Sequence, residues 1–176
     1  MGYTRKNNRI SVSRTWRKVD MRALAQFAMA RVTVRVFDQK KAVDGRSLTD
    51  HKPYSEEPCF VSALTRPTPR GGEPAYNKAG RLTGYMYEGG YAEFKQKTFQ
   101  TTQVDLQVSG DLRRGIHLSR IENDSASMAM SNTSKIYGLA LNEDRPWWGF
   151  SDEDRMHIRA RFREMIKTAF RSRVKK

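Results

Sequence analysis

Apolar residues recur at spacings of three and four in two stretches near opposite ends of the chain. The first holds Met21, Leu24, Ala25, Phe27, Ala28 and Val32, with Asp20 placed to cap it and alanine-rich content favouring helix. The Val-Thr-Val-Arg-Val run at 32–36 is β-branched and would also suit a strand. No Gly or Pro interrupts the pattern before Asp44-Gly45, so a helix through about residue 40 is predicted. The second stretch carries Ile158, Phe162, Met165, Ile166, Ala169 and Phe170. Ser151 stands as its N-cap and Asp154 as the third helical position, which is capping-box spacing. Asp152 and Glu153 place negative charge on the first turn, where the backbone N–H groups are unpaired.

Between the two helices the period changes to two. His117–Ile121 and Ser125–Met130 read as strands around Glu122-Asn123-Asp124, with Leu118, Ala126, Met128 and Met130 on one face. Shorter elements flank them: a helix over Tyr91–Lys97, an extended Val104–Val108 and a capped turn of helix at Ser109–Leu112. Another short helix starts at Asn132 or Thr133 and runs through Leu141. Gly45–Tyr91 shows neither period and holds five of the six prolines and seven of the twelve glycines. Irregular segments of that length are usually functional or disordered. Six aromatics in and around it argue against simple disorder. We therefore expect an extended flap that meets a neighbouring subunit through Tyr54, Phe60, Tyr76, Tyr85 and Tyr87.

Charge sharpens the picture. The 176 residues include 33 basic and 19 acidic side chains, a formal net charge of +14, which calls for an anionic neighbour. Residues 1–18 contain basic and no acidic side chains, and read either as a solvated arm or as one that orders on a partner. The final helix presents a second basic face. Arg5, Lys6, Arg9, Arg159, Arg163, Lys167, Arg171 and Arg173 are the candidates to face DNA or an acidic partner. Trp147, Trp148 and Phe150 could stack on bases. Their position just ahead of an amphipathic helix favours an anchoring role with Ser151 instead. A membrane-surface helix would fit the same stripe, but a chain this poor in apolar residues needs the stripe for its core. No apolar run approaches membrane-spanning length, and the basic N-terminus lacks the apolar stretch of a secretory signal.

Enzymatic chemistry has little to stand on. His51, His117 and His157 are scattered and Cys59 is alone, so neither a metal site nor an internal disulfide is expected, and a reducing compartment is the simple reading. No serine sits in a nucleophile-elbow motif, and the glycine pairs 71–72 and 89–90 match no phosphate-binding loop. We expect no catalytic residues and no cofactor.

Three separated pieces together resemble a known family. Asp44-Gly45-Arg46-Ser47-Leu48 with Pro53-Tyr54-Ser55 is similar to one stretch of the virion morphogenesis proteins of tailed phages. Val104-Asp105-Leu106-Gln107-Val108-Ser109-Gly110-Asp111-Leu112 is similar to a second stretch, and Arg145-Pro146-Trp147-Trp148-Gly149-Phe150-Ser151 to a third that leads into a final helix. The order agrees as well. The resemblance covers most of residues 20–166, and residues 57–90 look like an insertion. It implies an α+β fold in which a small antiparallel sheet is packed by a long N-terminal and a C-terminal helix. Residues 19–176 would form one domain, with the flap inserted at about 57–90 and the basic arm at 1–18. It further implies a non-catalytic tail-completion or neck subunit, forming a sixfold or twelvefold ring at the head–tail junction of the virion after assembly in the host cytoplasm. Its partners would be copies of itself, the tail terminator or tail tube, a head-completion or adaptor protein, and non-specifically the genomic DNA in the lumen, with no membrane. The competing expectation is a stand-alone basic nucleic-acid-binding protein.

Overall fold

A computed structural model describes residues 9–11, 20–107 and 109–174. The fold is α+β, as expected. Helix α1 (Met21–Thr33) starts at Asp20, whose carboxylate accepts the Ala23 N–H at 3.1 Å. The rod continues as a π-helical turn over Val34–Asp38 and stops where Lys40 takes a φ of 57°. The wider turn brings three consecutive residues, Arg35, Val36 and Phe37, into the interior. An α-helix at 3.6 residues per turn would rotate one of them outward.

Strands β1 (Arg9–Ser11), β5 (Ile116–Ile121) and β6 (Ser125–Met130) form one antiparallel sheet in the order β1-β6-β5. The predicted hairpin is present. Its third strand comes from the basic arm, so residues 9–11 belong to the domain rather than to a separate arm. Arg9 pairs through its backbone in this strand, and Arg5 and Lys6 lie outside the described residues. Helices α1 and α6 (Asp152–Val174) pack with this sheet around a single core. Leu24, Ala28 and Val32 of α1 meet Ala126, Met128 and Met130 of β6 there, with Ile158 from α6. Phe162 and Met165 pack at its margin. Ile166, Ala169 and Phe170, expected on the same face, lie outside that core.

The expected irregular flap is ordered differently. Residues 59–87 fold into a second antiparallel sheet, β2 (Cys59–Ser62), β3 (Glu73–Tyr76) and β4 (Leu82–Tyr87), in the order β2-β4-β3. Its alternation is hard to read because both faces carry aromatic or apolar side chains and the strands are short. Helix α3 (Gly90–Phe99) covers one face, closing a small second core of Val61, Tyr87 and Phe94. Val104–Gln107, expected to be extended, contains no strand because Leu106 sits at a φ of 53°. Helices α2 (Leu48–His51), α4 (Asp111–Gly115) and α5 (Asn132–Asp144) complete the fold.

Candidate functional site

The C-terminal helix is fixed by its first turn. Ser151 Oγ accepts the Asp154 N–H at 3.0 Å and Asp154 Oδ2 accepts the Ser151 N–H at 3.2 Å, a reciprocal capping box. The same carboxylate accepts from Arg35 Nε at 2.7 Å. Arg35 is 2% exposed, and its other nitrogens reach the carbonyls of Lys41 (3.1 Å), Trp147 (3.2 Å) and Gly149 (2.6 Å). Loss of water pulls this guanidinium below its usual pKa, and Asp154 works in the opposite direction. One buried arginine thus ties the π turn to the Trp147–Asp154 segment.

Trp147 is fully buried and donates its indole N–H to the Gly138 carbonyl at 3.1 Å. A Cβ at position 138 would come within 2.7 Å of Met130 Sδ and 3.1 Å of the indole, so α5 approaches this closely only with glycine there. Trp148 stands edge-on to Trp147 at 5.4 Å and Phe150 is buried, so Trp147 and Phe150 act as anchors and offer no ring face to a base.

The three sequence pieces singled out above meet beside this anchor. Arg145 donates to the carbonyls of Lys52 (2.6 Å) and Pro53 (2.8 Å), with its guanidinium 5.9 Å from the centre of the Tyr54 ring. The Tyr54 hydroxyl donates to Asp105 Oδ1 at 2.9 Å and accepts the Asp105 N–H at 3.1 Å. Lys95, fully buried on α3, donates to both Asp105 oxygens (2.8 and 3.1 Å) and lies 4.1 Å from the Phe99 ring centre. Gln107 N–H also reaches Asp105 Oδ1, at 2.9 Å. These bonds hold Leu106 in its left-handed conformation. Burial pushes the Lys95 ammonium below its usual pKa, opposed by Asp105. Burial likewise pushes the Tyr54 and Tyr91 phenols up. A cleft of about 260 Å³ opens here between Tyr54, Tyr91, Leu106, Tyr137, Leu141 and Arg145. Its charged groups all face a partner or a carbonyl, so the arrangement positions chain segments and presents tyrosines. Among the described residues, no group of three or more His, Cys, Asp or Glu is placed to hold a metal ion, and no helix is long and apolar enough to cross a membrane.

The aromatics expected at a subunit interface divide in two. Tyr87 is 1% exposed in the second core, with its hydroxyl on the Arg70 carbonyl, so it is not free to meet a neighbour; Tyr54 has its hydroxyl on Asp105 and shows only the part of its ring that lines the cleft. Tyr85 is half-buried against the same core. Phe60 (51% exposed) and Tyr76 (62%) are outward, as are Leu82 and Met86.

Arg159 and Arg163 line an exposed groove on α6 with Arg155, Met156 and Asp152. Lys167, by contrast, is 2.8 Å from Glu164. Arg171 is exposed, and the side chain of Arg173 lies outside the described residues. Sequence reasoning passed over Arg35, Lys95, Asp105 and Arg155. A lone arginine inside a valine run, and an acid inside Val-Asp-Leu, are the signals that buried partners were needed. No protein-family model, curated protein or solved structure matches the chain.

Proposed function

We propose that the chain is a structural virion protein of the head–tail junction, a ring-forming tail-completion or neck subunit that joins tail to head around the DNA channel. One observation carries this reading. The three pieces that resemble the tailed-phage family are far apart in sequence, yet they interlock through Arg145 on Lys52 and Pro53 and through Tyr54 on Asp105. Residues that jointly build one junction are those that a shared fold would retain as a set. The outward Phe60, Leu82, Met86 and Tyr76 support the assembly part of the reading, because exposed apolar patches mark interaction surfaces.

The test is assembly. Purified chain, followed by light scattering and negative-stain imaging, is expected to form rings or to add to isolated tail ends. A monomer that binds duplex DNA and does neither would overturn the proposal in favour of the second reading, a stand-alone nucleic-acid-binding protein. That second reading draws on Arg155, Arg159 and Arg163 of α6, which have no ion pair among the described residues, and on the net charge of +14.

A further inference from the structure

The small sheet has an outer face that no other element packs on in bulk, and the face is electrically polarised. Residues directly opposite on neighbouring strands point the same way. Phe60 pairs with Met86 and Met86 with Glu73, giving one row of outward side chains across all three strands, about 10 Å wide. The Phe60 ring lies over Gly84, where any Cβ would collide with it. Glu73, Glu56, Glu57 and Glu88 gather at this end of the sheet, where Cys59 pairs with Tyr87. All four are exposed, and none has an ion pair among the described residues. Lys78 and Arg81 sit at the opposite end, in the turn closed by Asn77 and Arg81, while one exposed base, Arg70, stands at the acidic end with its backbone held by Thr98 and Tyr87. In a chain of net charge +14, four unpaired acids beside exposed Phe60 and Met86 are an exception with a direction.

The complement is on the same chain. Arg155, Arg159 and Arg163 recur every four residues along the outer side of α6, spanning about 12 Å. They make no ion pair among the described residues; Met156, 60% exposed, stands between them, and Asp152 is the one acid that lines the same groove. The two surfaces are similar in extent and mainly opposite in charge, and each carries exposed apolar side chains. The small sheet packs on α3 and α6 packs on α1, so the two surfaces belong to different parts of the fold.

We infer that the acid-tipped outer face of the small sheet docks on the arginine ridge of α6 in a second copy of this chain. The contact is head-to-tail, because each copy carries both halves, and such contacts close into rings or run on as filaments. The inference rests on the ring reading above and names the surfaces that build the ring. It assigns the α6 ridge to a protein neighbour rather than to DNA.

Two charge reversals test it: Arg155→Glu, Arg159→Glu and Arg163→Glu in one variant, and Glu56→Lys, Glu57→Lys and Glu73→Lys in the other. All six positions are exposed, and circular dichroism checks that both variants stay folded. Sedimentation velocity over a concentration series reads self-association. The expected result is that each variant alone associates at least about tenfold more weakly than wild type, since like charges then face each other. An equimolar mixture of the two should regain assembly, because each acidic surface again meets a basic one. Variants that fail alone and also fail when mixed would overturn the pairing. Assembly that neither reversal touches, or loss of duplex-DNA binding as the sole effect of the ridge reversal, would overturn it while leaving the ring reading in place. Wild-type chain that stays monomeric and never adds to tail ends would overturn both.

Discussion

The two sheets of this protein differ in how their apolar surface is used. The sheet of β1, β6 and β5 lies in one continuous core with α1 and α6, and Arg35 and Asp154 cross-brace that core from within. The sheet of β2, β4 and β3 shares with α3 a core of three buried residues on one side and leaves Phe60, Leu82, Met86 and Tyr76 exposed. The first therefore carries stability and the second carries surface. Substitutions should separate the two roles.

The largest effect is expected at Arg35. Arg35→Ala takes the three carbonyls' donor away and leaves the buried Asp154 carboxylate with only the Ser151 N–H and Arg31 at 3.7 Å, and removing one partner of a buried pair costs about 3–5 kcal/mol. Urea unfolding monitored by tryptophan fluorescence, to which the buried Trp147 contributes, measures it. A loss below about 1 kcal/mol would mean that the brace contributes little and that packing alone holds α6.

A smaller effect, seen only in alkali, tests the junction between the two sheets. Burial raises the Tyr54 and Tyr91 phenols above the ordinary tyrosine value of 10.0, so the folded chain keeps protons that the unfolded chain releases. The stabilisation is complete below pH 10.0 and is lost as pH rises through the folded values. Each such phenol contributes a slope of at most about 1.4 kcal/mol per pH unit. Tyr91→Phe is expected to flatten the decline above that pH and to leave stability at neutral pH nearly unchanged. An unaltered slope in the variant would show that Tyr91 is hydrated in solution.

Ser151→Ala removes the acceptor for the Asp154 N–H while Arg35 still holds the carboxylate. The expected loss is about 1 kcal/mol by the same urea titration. A loss equal to that of Arg35→Ala would mean that cap and brace act as one unit.

The cap is also where sequence and structure agree best. Ser151 with Asp154, Asp20 and the two long helices were legible because capping and the 3.6-residue period are local properties. The hairpin of β5 and β6 was legible for the same reason. The second sheet was not, because Phe60, Met86 and Leu82 face outward where a strand of a lone domain would carry polar residues, and the alternation was erased. The π turn and the left-handed Leu106 were hidden too. They depend on Asp154, Lys95 and Tyr54, which lie far from them in sequence. Among the predicted interface residues, Tyr54 and Tyr87 could not be told from Phe60 and Tyr76 by residue type alone, since burial is decided by which face of a strand or loop meets α3 or Asp105.

Phe60→Ser should have the smallest effect on folding and so draws the comparison most finely. The ring is half exposed, lies over Gly84 and stands opposite Met86 outside both cores, so the expected change in unfolding free energy is within about 0.5 kcal/mol. Its neighbour Val61 points to the opposite face, into the second core, and reports what burial on the same strand is worth. If Phe60 serves only the fold, Phe60→Ser and Val61→Ser lower stability together and leave self-association alone. If the outer face is an assembly surface, Phe60→Ser leaves the urea midpoint in place and weakens association in sedimentation. A stable variant that still associates like wild type would place the contact elsewhere. The side chains of Leu82 and Tyr76, at the far end of the same face, would then be the next to replace.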